Sequence, residues 1–174
     1  IVLHDADIDV AVEGAMIAKM RNIGEACTAA NRFYVSSKII KEFTEKFSNK
    51  MRDLIVGNGL DPSVDIGPLI NAETRDKVSE FVNDAVSKGA KVELGGNLPS
   101  GPGFFYPPTV LSNVSMDADC VRDEIFGPVA AIQTFDDEDD VLKRANDTEY
   151  GLVAYVFTKD IKRGLALSEK LDYG

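Results

Sequence analysis

The chain has 174 residues, of which 44% are hydrophobic and 28% charged, and its formal net charge is −10. That balance fits one globular domain with a sizeable core. The acidity argues against nucleic acid and anionic membrane surfaces as partners, since both reward Lys/Arg patches.

Ile8, Val12, Met16 and Met20 recur at every fourth position and predict an amphipathic helix, with Asp5 or Asp7 as its N-cap. Residues 31–36 hold Phe33, Tyr34 and Val35 and read as a short buried strand. Ser37 is placed to cap a second helix with Ile40, Phe43, Phe47, Met51 and Leu54 on its buried face, closed off by Gly57 and Gly59. Residues 61–69 contain two prolines and read as a loop. Asn71 caps a third helix with Val78, Phe81, Val82 and Ala85 on one face, and Gly89 stops it. Residues 91–94 predict a strand, 95–108 a Gly/Pro-rich surface excursion and 109–114 another strand. Residues 129–135 are an apolar strand, 136–146 a helix with an acidic first turn, 152–158 a further strand and 161–171 a final helix. The acidic run 136–140 reads as a solvated helix start, since carboxylates favour helix N-termini. Strands alternating with helices predict an α/β fold with a mostly parallel sheet flanked by helices.

The two cysteines, Cys27 and Cys120, exclude a disulfide scaffold, although a single bridge is possible by count. A reduced, cytoplasmic setting is the expectation. One His and two Cys without paired spacing give no metal site. No apolar run approaches the roughly 20 residues of a membrane helix, and no signal peptide is visible.

Cys27 lies among Gly24, Ala26, Thr28, Ala29 and Ala30, so a substrate could approach its sulfur closely. A thiol between a helical pattern and a strand can act as a nucleophile when its pKa is lowered. Free cysteine is also among the most buried and inert of residues, so chemistry alone leaves both readings open. Glu124-Ile-Phe-Gly-Pro sets a carboxylate and the Phe126 ring before a buried strand. A carboxylate accepts ribose hydroxyls and a ring offers a flat face to a heterocycle; the plainer reading is a polar turn with a core Phe. Arg21, six residues before Cys27, could hold a carboxylate through two charge-assisted hydrogen bonds or simply neutralise a helix C-terminus. Glu93-Leu-Gly-Gly reads as a general base on a turn or as a strand ending in glycines. No protease-type constellation and no glycine-rich dinucleotide fingerprint can be assembled.

Taken together, Gly24-Glu25-Ala26-Cys27, Ala30-Asn31-Arg32-Phe33-Tyr34-Val35, Ile66-Gly67-Pro68-Leu69-Ile70, Phe105-Tyr106-Pro107-Pro108-Thr109-Val110, Glu124-Ile125-Phe126-Gly127-Pro128-Val129 and Ala145-Asn146-Asp147-Thr148-Glu149-Tyr150-Gly151-Leu152 resemble the NAD(P)-dependent aldehyde dehydrogenase superfamily. The motifs run in the family's order over nearly the whole chain. The segment from Arg21-Asn22 to Asn31-Arg32-Phe33 is most similar to succinate-semialdehyde dehydrogenases.

The resemblance implies Cys27 as nucleophile, Glu124 as the residue holding the nicotinamide ribose, Phe126 as the ring beside the nicotinamide and Arg21 as the anchor of a distal carboxylate. It implies NAD or NADP as cofactor, a small aldehyde as substrate, and a homodimer or homotetramer. Residues 1–174 would be the catalytic domain alone. The family's catalytic Glu, oxyanion Asn and cofactor-binding domain would precede Ile1, and its oligomerisation strand would follow Gly174. Glu93 is then a false copy of the catalytic Glu. Two departures stand out: Glu25 replaces the usual Gln, adding a negative charge near the thiol, and Ala29 replaces a second Cys found in some relatives. A coenzyme-A-acylating enzyme and a non-catalytic binding domain of the same fold are the alternatives.

Overall fold

The computed structural model describes residues 1–174. Its centre is a four-stranded sheet in the order β1-β4-β3-β2, with β1 spanning Arg32–Ser36, β2 Lys91–Leu94, β3 Thr109–Ser112 and β4 Val129–Phe135. β4 pairs in parallel with β1 (Phe33 opposite Ile132) and with β3 (Val110 opposite Ala130). β2 pairs antiparallel with β3 at the edge. The expected mostly parallel α/β sheet is therefore present.

β4 reads Val-Ala-Ala-Ile-Gln-Thr-Phe because it is covered on both faces, which favours a near-continuous apolar run. Ala130 and Ile132 pack with Val12, Phe43 and Phe47 under α1 (Ile8–Met20) and α2 (Ile40–Arg52). Val129 and Ala131 point the other way, to Val78, Phe81 and Val82 of α3 (Ala72–Ser87). Alternate residues of one strand thus feed two cores. Tyr34 and Phe135 join a third core with Val141 and Leu142 of α5 (Glu138–Asn146) and Leu167 of α6 (Ile161–Ser168).

The caps show how local sequence places these elements. Asp7 caps α1, its side chain accepting from Val10 N–H at 3.3 Å. Asp5 instead accepts from Thr158 and lies against Arg163. Asn71 caps α3 through Thr74 N–H at 2.8 Å. Gly89, with φ +95°, ends α3: its N–H reaches Val86 O and Ala90 N–H reaches Ala85 O, the paired closing bonds of a Schellman motif. Asp137 caps α5, and Glu138, Asp139 and Asp140 fill its first turn as the acidic run implied.

Four expectations need correction. Ser37 does not cap α2; its hydroxyl bonds Asp136 across the ends of β1 and β4, and α2 starts at Ile40 without a side-chain cap. α2 ends at Arg52, short of Gly57 and Gly59. Residues 152–158 are not a strand. Within it only Phe157 makes a bridge, to Val2. α6 stops at Ser168 rather than at 171. Two short elements carry no periodicity to read: the 3₁₀ turn Arg21–Gly24 and α4 (Asp119–Arg122). No helix is long and apolar enough to cross a membrane.

Candidate active site

The buried stripe of α1 is Ala11, Val12, Ala15, Ala18 and Lys19, with Ile8, Met16 and Met20 partly buried at its margin. Small side chains let the helix lie close to its neighbours, and at Gly14 the Phe157 ring occupies the space a Cβ would need. At Arg21 the helix breaks. Asn22 (φ +48°), Ile23 (φ +53°) and Gly24 (φ +82°) all take left-handed backbone. This conformation is costly for Asn and especially for Ile, and such strain clusters at functional segments.

The strained turn presents Cys27. Asn22 Nδ2 donates to Glu25 O at 2.8 Å and Glu25 N–H to Asn22 O at 2.9 Å, closing the turn upon itself. Ala29 N–H reaches Ala26 O at 2.9 Å, and Ala30 N–H ties the segment back to Ala18 O at 2.8 Å. Tyr155 donates its hydroxyl to Thr28 O at 3.0 Å. Cys27 itself is exposed, and its own N–H is not spent on any backbone partner.

Opposite lies the loop 123–128 between α4 and β4. Ile125 anchors it, fully buried, while Phe126 is 37% exposed with φ +47°. Glu124 spends only its backbone: its N–H donates to Asp123 Oδ1 at 2.8 Å and its carbonyl accepts from Lys77 Nζ at 3.4 Å. The carboxylate is left free.

Cys27 and Glu124 line one cleft of about 360 Å³, with Ala29, Asn31, Tyr150 and Tyr155 among its walls. Phe126 and Arg21 are exposed and lie outside that lining. Arg21 stands where α1 gives way to the 3₁₀ turn. Glu93 is remote from this cleft: it bonds Ser112 across β2 and β3 and lines a separate depression beside α2. The carboxylate of Glu25 accepts from Ile70 N–H at 3.2 Å, so the unusual charge is turned toward the 66–70 loop.

The cysteines divide cleanly and form no bridge. Cys120 is buried in α4, and burial, with Asp84 nearby, pushes its thiol up to about 12. Lys19 is 1% exposed and has no carboxylate partner; burial lowers its amine to about 7, against the opposing effect of Cys120. Its Cε lies 3.3 Å from where a Gly24 Cβ would sit, directly under the strained turn. Sequence reading passed over Lys19, although its position four residues after Ala15 puts it on the buried stripe. It also assigned no role to Asn31, whose partners lie far along the chain. No cluster of His, Cys, Asp or Glu could hold a metal ion.

An exposed thiol and a free carboxylate thus line one cleft of an α/β domain. The chain belongs to the aldehyde dehydrogenase family, which it matches over residues 1–174. It is 51% identical over its whole length to succinate-semialdehyde dehydrogenase of Paenarthrobacter nicotinovorans, covering 39% of that protein. It is 45% identical to NADP(+) succinate-semialdehyde dehydrogenase of Escherichia coli, covering 36% of it. Among solved structures it overlays an E. coli NADP-dependent enzyme with TM-score 0.97 at 45% identity, over 99% of this chain and 36% of that one. The lactaldehyde dehydrogenase of E. coli gives 0.96 at 33% identity, over 99% and 36%. The chain thus spans little more than a third of the length of these relatives.

Proposed function

We propose that this domain supplies the nucleophile of an NAD(P)-dependent aldehyde dehydrogenase that oxidises a short aldehyde with a distal carboxylate, succinate semialdehyde in the first place. The observation that carries the reading is the exposed Cys27 sharing a cleft with the unbonded Glu124 carboxylate. The relatives named succinate-semialdehyde dehydrogenase support the substrate class.

The chain's own residues fit a nicotinamide nucleotide: Glu124 offers two acceptor oxygens for ribose hydroxyls, and Phe126, two residues on, an exposed ring. When bound, the nucleotide supplies the hydride acceptor. The Cys27 sulfur adds to the aldehyde carbon, and the unspent Cys27 N–H donates to the oxyanion that forms. Loss of hydride from that carbon leaves a thioester on Cys27. Water then releases the acid and frees the sulfur. That water needs a general base. The resemblance to the family implies that this base comes from a part of the longer enzyme outside residues 1–174, while Glu25 and Glu93 are turned to Ile70 and Ser112. Arg21 anchors the distal carboxylate.

Kinetics on the full-length enzyme test this reading. Succinate semialdehyde should be oxidised with a kcat/KM at least about ten-fold above that for butanal, a margin typical of one charge-assisted anchor, and Cys27→Ala should abolish turnover with either NAD or NADP. Turnover that depends on coenzyme A would redirect the assignment to acyl transfer, and activity surviving in Cys27→Ala would refute the nucleophile.

A further inference from the structure

The carboxamide of Asn31 joins the strand behind Cys27 to the loop that bears Glu124. Its Nδ2 donates to the carbonyl of Cys120 at 3.1 Å and to that of Asp123 at 2.8 Å, and its Oδ1 accepts from Ile125 N–H at 2.9 Å. These partners lie 89 to 94 residues away in sequence. The side chain is half-buried and shares the cleft with Cys27 and Glu124. A primary amide provides two donors and an acceptor from one short stem; Asp lacks the donors and Ala lacks everything.

What Asn31 holds has little regular structure of its own. α4 ends at Arg122 and β4 begins at Val129, so residues 123–128 make no ladder. Phe126 sits in left-handed backbone within that stretch. Lys77 also reaches the loop, pairing with Asp123 at 3.3 Å, but both partners are nearly half exposed, and such pairs contribute little. Tyr150 donates to Asp123 Oδ1 at 2.9 Å, again on the exposed side. The half-buried bonds on both sides of Glu124, to Asp123 O and Ile125 N–H, come from Asn31.

We propose that Asn31 is a positioning residue that sets the place of Glu124 relative to Cys27 and thereby governs affinity for the ribose of the nicotinamide nucleotide. The proposal rests on the reading of Glu124 as the ribose-binding carboxylate.

The test is a double-mutant cycle on the full-length enzyme, with Asn31→Ala, Glu124→Gln and the pair. The readouts are the Kd of NADH and NADPH by fluorescence, the KM-against-kcat split, Tm, and the alkylation rate of Cys27 without nucleotide. Asn31→Ala should raise the nucleotide Kd about ten-fold, the scale of a lost hydrogen bond expressed as binding. In the Glu124→Gln background it should add less than about two-fold, the coupling expected of a residue that acts through its neighbour. Alkylation of Cys27 should stay within about two-fold, the scatter of an uncoupled site. Losses that multiply in the pair would overturn the proposal, because Asn31 would then act on something other than Glu124. A Kd unchanged by Asn31→Ala but raised by Glu124→Gln would overturn the role of Asn31 alone. A Kd unchanged by Glu124→Gln would overturn the ribose reading itself. If Asn31→Ala does not fold, Asn31→Gln, with the same groups one methylene further out, takes its place under the same criteria.

Discussion

Gly24 and Gly127 meet backbone to backbone: a Cβ placed on Gly24 would overlap the carbonyl oxygen of Gly127. The turn that presents Cys27 and the loop that carries Glu124 are therefore in direct contact at a position where no side chain fits. Gly127 is confined too, since its own Cβ would lie 2.6 Å from Val78 on α3.

Gly24→Ala meets two penalties at once. Gly24 has φ +82°, where an L-residue is strained, and the added methyl must displace the Gly127 carbonyl. Left-handed backbone and overpacking together cost about 2–4 kcal/mol. Urea unfolding of this chain should show the midpoint falling with little change in slope. An unchanged midpoint would mean that the two loops separate without cost.

Cys27 and Cys120 should differ sharply toward iodoacetamide. The Cys120 thiol is buried and pushed up to about 12, whereas Cys27 is exposed. Peptide mass mapping should find Cys27 modified in the native protein and Cys120 only after unfolding. Equal labelling would contradict the assignment of the nucleophile. Glu25→Gln should leave the Cys27 rate within about two-fold, because an amide oxygen can still accept from Ile70 N–H. A rate rise beyond that would show the Glu25 charge acting on the thiol.

Much of the fold could be read locally because its cues are local. The apolar run of β4, the Asn71 cap and the Gly89 stop each follow from a few neighbouring residues, and each stands where the sequence placed it. The Ser37 misreading comes from a partner distant in sequence. Ser37 left its cap for Asp136, 99 residues further on. The same holds at the site. Cys27 and Glu124 stood out by residue type, and the structure sets them on one cleft. Asn31 did not, since an Asn before an apolar strand gives no sign of bonds to Cys120, Asp123 and Ile125.

Lys19 gives a pH dependence whose sign can be worked out. Burial lowers its pKa from 10.5 to about 7 in the folded chain. Between those values the unfolded chain binds the extra proton, so the lysine makes stability rise with pH from about 7 upward. Below about 7 the amine is charged in both states and its burial penalty is greatest. Cys120 works the other way above its unfolded pKa of 9, because its folded value is about 12 and the unfolded thiol ionises first. Between pH 7 and 9 the lysine therefore acts without an opposing effect from Cys120. Lys19→Met keeps the volume and removes the charge, and should stabilise the chain by about 1–4 kcal/mol at pH 6. Denaturation series at pH 6, 7, 8 and 9 should show this advantage shrinking as pH rises. An advantage that does not shrink with pH would mean that Lys19 is not neutralised by burial.

The proposed preference for a distal carboxylate rests on Arg21. It is exposed at the break between α1 and the strained turn, six residues before Cys27. A guanidinium fork binds a carboxylate through two parallel charge-assisted bonds, worth about 1.5–3 kcal/mol when desolvated. In the full-length enzyme, Arg21→Ala should therefore raise KM for succinate semialdehyde by about 10- to 100-fold. Butanal, which has the same chain length without the carboxylate, should show a KM change below about two-fold, since it has no bond to lose. Arg21→Lys should fall between, because an ammonium keeps the charge but not the fork. Steady-state kinetics on both aldehydes separate anchoring from structural damage. Equal losses on both would remove Arg21 from substrate recognition and return it to its plainer role, a cation neutralising the C-terminus of α1.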